Sequence, residues 1–307
     1  MPNSHFKGLN QYKKLTNTEV LKASVVQWMD WCFTTAGAYY NINTPTSGAY
    51  GGTFSNLQPI NDPRYTADTV WGAARSNFVW ESGVVEGTPI EISGVYVSGE
   101  LKTTGYTVNY PEGKVVFDEG VPSTASVQLE YSFKHVKVCD VDEVPFFGKA
   151  QEESFRVDEY ERYPNSGLFA EFAQSRYQFP IVAVDVAGRG YEGYELGNST
   201  LKSDPDIICH VLAENASDCS RIADILGQQK DSKIFLPDIN RMSDSGVIIL
   251  DFNGNKTNTT QTYPELVADT SEYRGRHCYF QESQIQDKER LGDLHKKTVR
   301  LTCEILV

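Results

Sequence analysis

The sequence lacks any apolar run of the length that crosses a membrane. A spanning helix needs about 18 or more consecutive apolar residues. The first residues, Met1 to His5, also lack the charged-then-apolar order of a secretion signal. We therefore expect neither a membrane span nor secretion.

Cysteine is sparse, and its six residues include no CxxC pair. Most of them lie in apolar strand or helix patterns, which is typical of reduced, buried thiols in a cytosolic product. The pairs Cys209-His210 and His277-Cys278 could place zinc ligands on neighbouring strands. Adjacent residues on a strand point to opposite faces, however, so each pair supplies only one ligand to a given site. We expect no metal.

Signatures of catalysis are also missing, because the sequence has no GxSxG motif and no Ser-His-Asp set. Gly188 to Gly193 match the GxGxxG pattern of dinucleotide-binding proteins. That pattern binds pyrophosphate where a helix begins, whereas here Pro205 lies beyond it, and Glu192 and Glu195 would repel phosphate. We interpret the motif as a glycine-rich loop between two strands, and we expect neither a cofactor nor enzymatic activity.

Basic residues are few as well: the sequence has 28 Lys and Arg and 41 Asp and Glu, which gives a net charge of −13. Nucleic acid is bound by clustered cations, so this charge argues against a nucleic-acid-binding surface. It is compatible with a channel through which DNA slides without adhering. The densest acidic stretch, residues 140–161, holds eight acidic residues against two basic ones. It is either a solvated linker or part of such a channel.

What the chain does contain is a hydrophobic fraction of 40% with 12% aromatics, which excludes global disorder. The clearest pattern lies between Phe179 and Gln229. Residues 181–187 and 207–213 are short β-branched runs that predict buried strands. Cap-type residues at 215–218 then introduce a helix that ends near Gly227. We expect an α+β fold organised around this stretch.

The N-terminal part predicts one amphipathic helix. Thr16 and Glu19 form a capping box at its start, and Gly37 suits the position just after its C-terminal end. Trp28 and Trp31 share one face of this helix and are expected in the core.

After this helix the sequence changes character twice. Residues 39–63 are rich in Asn, Thr, Ser, Gly and Pro without a clear period, and such long segments are normally functional or ordered by a partner. A strand is expected at 77–81. Residues 84–139 then hold short strands with turns between them, including a long strand at 126–138. This spacing indicates a small antiparallel sandwich or barrel.

The C-terminal part predicts further strands at 233–236, 246–252, 276–284 and 296–307. The whole pattern divides the chain into an N-terminal helix and extended arm (1–83), an antiparallel β module (84–139), an acidic connecting segment (140–178) and an α+β domain with one main helix (179–307).

Several short phrases of the sequence resemble those of one protein family. They are Asn41-Ile-Asn-Thr, Gly48-Ala-Tyr-Gly-Gly, Asn61-Asp-Pro-Arg-Tyr65, Phe78-Val-Trp-Glu-Ser-Gly83, Ile92-Ser-Gly-Val-Tyr-Val, Asn109-Tyr-Pro-Glu-Gly-Lys-Val-Val-Phe117 and Phe235-Leu-Pro-Asp-Ile-Asn-Arg241. From about residue 28 onward, the chain resembles a family of virion proteins of tailed bacteriophages. The resemblance implies a non-enzymatic ring subunit of the neck, such as a tail terminator, a stopper or a head–tail connector. It also implies that residues 179–307 form a tail-terminator-like domain.

The resemblance further implies the partners and the location. We expect a homo-oligomeric ring, a hexamer, in the virion neck or tail, synthesised in the host cytoplasm. It would contact other neck, tail-tube or sheath proteins, with DNA passing non-specifically and no membrane involved. Segments 39–63 and 188–205 would be inter-subunit arms. The candidate interface residues are Tyr50, Tyr65, Trp80, Arg189, Tyr191, Tyr194 and Arg241.

The alternative function is a β-rich adhesion module that recognises a glycan on the host surface. Exposed aromatic side chains on residues 84–139 would favour adhesion. Assembly into a closed ring with a central pore would favour the neck.

The acidic stretch generates a prediction, with Glu152, Glu153, Asp158 and Glu159 as the candidate pore-lining residues. An acidic lining repels phosphates, and this repulsion is screened over roughly 10 Å at about 0.1 M salt, so only residues at the pore affect the DNA. Replacing all four residues by Lys should slow DNA ejection from virions while assembly stays normal. Replacement by Gln should have a milder effect. Unchanged ejection with the Lys set would place these residues on the exterior.

Overall fold

The computed structural model describes residues 17–43, 53–144, 178–188, 190–193, 201–287 and 294–306. The fold is α+β, with an N-terminal helix, several antiparallel sheets and a curled half-barrel sheet. The chain divides into two compact units. Unit 1 comprises the described parts of residues 1–29, 137–240 and 269–307, and unit 2 those of 30–136 and 241–268. These bounds do not coincide with the four segments expected from the sequence.

The helices of the described chain are α1 (Asn17–Thr35), α2 (Ala216–Gly227), α3 (Ile239–Asp244) and α4 (Tyr263–Val267). None of them combines the length and the apolar composition that crossing a membrane requires. The strands of unit 2 are β1 (Tyr39–Ile42), β2 (Gln58–Pro59), β3 (Val70–Gly72), β4 (Val95–Val97), β5 (Glu100–Lys102), β6 (Tyr106–Asn109), β7 (Lys114–Phe117), β8 (Val127–Leu129) and β9 (Tyr131–Lys134). Those of unit 1 are β10 (Lys137–Asp140), β11 (Ile181–Ala187), β12 (Tyr191–Gly193), β13 (Leu201–Ser203), β14 (Asp206–Ala213), β15 (Lys233–Pro237), β16 (Arg274–Asp287) and β17 (His295–Leu306).

Helix α1 ends where the sequence predicts. The Gly37 amide donates a hydrogen bond to the Thr34 carbonyl, and the Ala38 amide donates one to the Phe33 carbonyl, each at 3.0 Å. Gly37 has a φ of +83°, and this left-handed residue with its two hydrogen bonds is the Schellman motif, which favours glycine.

The apolar face of α1 differs from the expected one. Its fully buried residues follow a spacing of four and are Leu21, Val25, Met29 and Phe33. Trp28 and Trp31 are only half-buried, and Trp28 lies 5.5 Å from the Phe280 ring of unit 1. The two tryptophans therefore border the core, because the stripe at i, i+4 intervals takes the central position.

Strand β17 is the centre of the unit 1 sheet. It pairs with β14 on one side and with β16 on the other. The order across the sheet is β10-β11-β14-β17-β16-β15, and the β12–β13 hairpin joins β17 through Lys202 and Ser203. Only β10 and β11 are parallel among these neighbours. Both predicted central strands are confirmed as β11 and β14.

Helix α2 covers this sheet. Asn215 caps its N-terminus by accepting a hydrogen bond from the Asp218 amide. Cys219, Ile222, Ala223 and Leu226 form its buried face, which packs against β14, β16 and β17. The spacing of these residues matches the helical period, so the sequence predicts both the helix and its buried face.

Unit 2 consists of three small antiparallel sheets, ordered β1-β9, β2-β3-β7-β6 and β5-β4-β8. Large buried side chains from all three fill one core, among them Trp71, Phe78, Leu129 and Tyr131. The rings of Phe78 and Tyr131 lie 4.4 Å apart. An antiparallel β module is therefore present, but it draws on strands that precede residue 84 as well.

The expected single strand at 126–138 is wrong. This stretch forms β8, β9 and the start of β10, and each joins a different partner: β4, β1 and β11. The apolar alternation persists through all three strands, whereas the partner strands that divide them lie far away in the sequence. The pairing with these partner strands therefore determines where residues 126–138 divide into three strands.

Two other expected strands are absent from the described residues. Residues 77–81 contribute one isolated bridge, Phe78 to Phe133, and Asn77 has a φ of +58°. Residues 246–252 run into a turn at Asp251, whose carboxylate accepts hydrogen bonds from the Asn253 and Asn255 amides. Conversely, β1 and β2 lie in a segment that was expected to be irregular. They form because β1 pairs with β9 and β2 pairs with β3.

The cap of α2 provides a stability prediction. Replacing Asn215 by Ala should cost about 1 kcal/mol, because the Asp218 amide loses its acceptor. Urea unfolding followed by circular dichroism should show the shift in midpoint. Asn215→Ser is the matched control, since its hydroxyl can still accept this hydrogen bond without placing a second carboxylate beside Asp218, and it should unfold close to the wild type. Equal destabilisation by both substitutions would contradict the capping role.

Candidate functional site

Unit 2 contains a cleft of about 320 Å³. Its wall is formed by most of residues 79–92, together with Tyr110 and Lys256. We call residues 79–92 the cleft loop, because they include no helix or strand. Binding sites are frequently carried by loops that a rigid scaffold positions, so this cleft is the candidate functional site of unit 2.

The ends of α1 and β1 hold the cleft loop at its tip. Thr35 accepts hydrogen bonds from the Val85 amide at its hydroxyl (3.2 Å) and from the Glu86 amide at its carbonyl (3.1 Å). The Tyr39 hydroxyl donates to the Glu86 carbonyl at 3.0 Å. Gly87 has a φ of +79°, and a Cβ there would lie 2.4 Å from the Tyr39 hydroxyl. The close approach and the left-handed backbone both require glycine at this position.

Strand β9 holds the far side of the same loop through Ser132. The Ser132 hydroxyl accepts a hydrogen bond from the Ile90 amide at 2.6 Å and donates to Asn41 Oδ1 at 2.7 Å. The Asn41 amide group in turn donates to the Thr88 carbonyl at 3.0 Å. Ser132 is fully buried, so its two hydrogen bonds satisfy a hydroxyl group that water does not reach. The cleft loop is thus held at its tip and at its far side.

A buried cation anchors the start of the cleft loop. Lys134 exposes 3% of its side chain. Its ammonium group donates to Glu81 Oε1 at 2.5 Å and to Asp30 of α1, and it lies 5.7 Å from the centre of the Trp80 ring. Two carboxylates and an aromatic face therefore surround one buried charge, which offsets the cost of removing it from water.

The protonation of this cluster follows from its burial. Burial raises the pKa of Glu81, and Lys134 opposes that rise. Burial disfavours the charged form of Lys134, but the two carboxylates more than compensate, so the pKa of Lys134 is raised. Glu81 Oε2 also accepts a hydrogen bond from the Trp80 amide at 3.1 Å. Both Glu81 oxygens are thus engaged by other groups of the fold.

A second ionic cluster of unit 2 joins Asp62, Arg64, Glu112 and Lys114. Arg64 contacts Asp62 Oδ2 at 2.7 Å and Glu112 Oε2 at 2.6 Å. Lys114 contacts the same two oxygens at 3.0 and 2.5 Å. Hydrogen bonds from Arg64 and Lys114 lower the pKa of Glu112 to about 2 and hold that of Asp62 well below its usual range. A lowered carboxylate pKa stabilises the fold above the ordinary pKa, and the stabilisation is lost as pH falls towards the folded value.

Unit 1 carries a cluster of cations around one aromatic ring on β15 and β16. The Arg274 guanidinium lies 3.7 Å from the centre of the Phe235 ring, and the Lys233 ammonium lies 5.3 Å from it. His277 meets the same ring edge-on at 6.4 Å. Arg274 is also paired with Asp269. Lys233 and His277 are exposed, whereas Phe235 and Arg274 are half-buried.

Four of the interface residues expected from the sequence belong to the described chain, and in unit 2 Trp80 and Tyr65 lie at different places. Trp80 lines the cleft, whereas half-buried Tyr65 lies 5.6 Å from Arg64 in the second ionic cluster. Arg241 is exposed on α3, and Tyr191 begins β12. Tyr50, Arg189 and Tyr194 lie outside the described residues, as do the candidate pore-lining residues Glu152, Glu153, Asp158 and Glu159.

The two motifs that suggested ligands have local structures of their own. In the GxGxxG stretch, Tyr191 to Gly193 form strand β12, where a dinucleotide would need the first turn of a helix. Cys209 and Cys278 lie on β14 and β16, which β17 separates. In the described part of the chain, no group of three or more His, Cys, Asp and Glu side chains is arranged to hold a metal ion.

Sequence reasoning missed both ionic clusters. Asp30, Glu81 and Lys134 lie on three distant segments, and nothing in the local pattern around Lys134 distinguishes it from an exposed strand lysine. Asp62 and Arg64 fall within one phrase that carried the resemblance, and Glu112 and Lys114 within another, but only the fold brings the two phrases together.

Comparison with protein-family models, with curated proteins and with solved structures finds no match to this chain.

The buried cluster yields a prediction for Lys134→Met. Removing the cation leaves the Glu81 and Asp30 carboxylates without their partner, which should cost about 3–5 kcal/mol of unfolding free energy at neutral pH. The cost should shrink as pH falls, because a carboxyl group whose pKa is raised in the fold needs no cation once protonated.

Thermal or urea unfolding across a pH series measures this effect. Lys102→Met, at an exposed position on β5, is the matched control and should change stability by less than about 0.5 kcal/mol. A Lys134→Met cost that is small, or that is independent of pH, would contradict the anchoring role.

Proposed function

We propose that this protein is a structural virion protein of a tailed phage, a ring subunit of the neck that joins head and tail or terminates the tail and lets DNA pass. The proposal starts from the resemblance of the sequence phrases. Its structural support is the strand order of unit 1, in which β10 and β15 end the sheet at opposite sides.

Among the described strands, β10 is paired with β11 and β15 is paired with β16. A terminal strand presents backbone amides and carbonyls that another chain can pair with. Two different terminal strands on one subunit allow a head-to-tail contact, and head-to-tail contacts close into rings when the rotation between copies permits it. We take the two terminal strands as support for a head-to-tail contact between copies.

The charged groups of unit 2 support a structural role in place of catalysis. Lys134 is held by two carboxylates, and Arg64 and Lys114 are held by two more. Catalytic acids and bases must be able to reach a substrate, whereas these groups reach each other. The net charge of −13 also suits a pore that does not retain DNA.

The adhesion alternative is less well supported by the aromatic residues of segment 84–139. Tyr110, Phe117, Tyr131 and Phe133 are buried, and Tyr96 and Tyr106 are half-buried. A surface that stacks sugar rings would present such side chains to solvent. Tyr110, Phe117, Tyr131 and Phe133 instead form part of the core of unit 2, and Tyr106 packs against it.

Electron microscopy of the purified full-length protein tests the proposal. We expect closed rings with a central opening wide enough for duplex DNA, and we expect antibody labelling of virions at the junction of head and tail. A protein that stays monomeric at high concentration, labels tail fibres and binds glycans saturably would contradict the neck and support adhesion.

A further inference from the structure

The buried cluster around Lys134 contains the atoms of an amide bond and one water molecule. The Lys134 ammonium group contacts one oxygen of the Asp30 carboxylate and lies 2.5 Å from Glu81 Oε1. An ammonium and a carboxylate become an amide by losing one water, so the conversion needs neither an oxidant nor a reductant. An amine held against a carboxyl group reacts far faster than the same two groups free in solution.

The surroundings of this cluster favour uncharged groups. The side chains of Lys134 and Glu81 each expose 3% of their surface, and that of Asp30 exposes 19%. A charge at such a site is costly even when it is paired, whereas an amide carries no charge. The exclusion of water also disfavours hydrolysis, which is the reverse reaction.

Glu81 is placed to carry protons between the two reacting groups. Its Oε1 contacts the Lys134 nitrogen, and its Oε2 accepts a hydrogen bond from the Trp80 amide, which fixes the orientation of the carboxylate. Burial raises the pKa of Glu81, although Lys134 opposes that rise. A carboxyl group with a raised pKa accepts and returns protons at neutral pH more readily than an exposed one.

We infer that Lys134 and Asp30 form an intramolecular amide bond, with Glu81 as the proton carrier. Glu81 takes a proton from the ammonium group, and the nitrogen lone pair then forms a bond to Asp30 Cγ. One Asp30 C–O bond breaks with its electron pair on the oxygen. Of the three ammonium hydrogens, one stays on the amide nitrogen, and two pass through Glu81 to the departing oxygen, which leaves as water.

The cleft gives this water a route out of the fold, because Glu81 and Trp80 both line it. Glu81 ends the reaction in the protonation state in which it began. The ionic cluster of the structure is the state that precedes the bond.

The second ionic cluster of unit 2 shows what distinguishes Lys134. Lys114 also lies between two carboxylates, at 3.0 Å from Asp62 and 2.5 Å from Glu112. Arg64 binds the same two carboxylates, and the pKa values of both are lowered. These carboxylates stay ionised at neutral pH and cannot take a proton from Lys114. We therefore expect the second cluster to stay ionic.

The amide bond joins the last turns of α1 to strand β9. Asp30 and Lys134 are 104 positions apart in the sequence, so the bond closes a loop that includes most of unit 2. Closing a long loop covalently restricts the unfolded chain and thereby stabilises the fold. This stabilisation acts within one chain and does not depend on the proposed ring.

Intact-mass spectrometry of the denatured full-length protein tests the bond. The wild type should be lighter than its sequence by one water molecule, and digestion should release a branched peptide that joins the segments of Asp30 and Lys134. Lys134→Arg keeps the positive charge but lacks the amine, so it should have the full mass. Glu81→Gln keeps the size of the side chain but cannot carry the protons, so bond formation should slow by roughly a hundredfold.

Lys114→Arg is the matched control, because it changes the lysine of the second ionic cluster, and it should lose water as the wild type does. Circular dichroism checks the fold of each variant, and if Glu81→Gln does not fold, the wild-type mass and the branched peptide decide. A wild type that keeps its full mass after prolonged incubation would overturn the bond, as would a water loss that maps to other residues. Conversion of Glu81→Gln at the wild-type rate would overturn the role of Glu81.

Discussion

The buried charge of Lys134 is the constraint on which unit 2 depends. Its ammonium group joins three parts of the chain: the last turns of α1 through Asp30, the cleft loop through Glu81, and strand β9 on which it lies. A lysine this deeply buried is tolerated only with compensating charges. The positions of helix end, loop and strand are therefore coupled, and the cleft keeps its shape because none of them can move alone.

Hydrogen bonds extend this coupling along the cleft loop. Thr35, Tyr39, Asn41 and Ser132 hold its tip and far side. A loop without helix or strand is thereby fixed, so a partner that contacts it would not have to order it first.

Unit 1 is organised differently from unit 2, because its structure depends on strand pairing and not on a buried charge. β17 pairs along most of its length with β14 and β16, and α2 covers these three strands. The same pairing leaves β10 and β15 at opposite ends.

The sequence by itself determined the elements whose signals are local. Strands β11 and β14 and helix α2 were predictable because β-branched runs, a capping Asn215 and apolar residues at helical spacing act between neighbours in the chain. Only the tertiary structure decided that residues 126–138 divide among different sheets and that Lys134 becomes a buried cation. Both outcomes depend on residues that the fold brings together from distant parts of the chain, so a local sequence pattern cannot predict either of them.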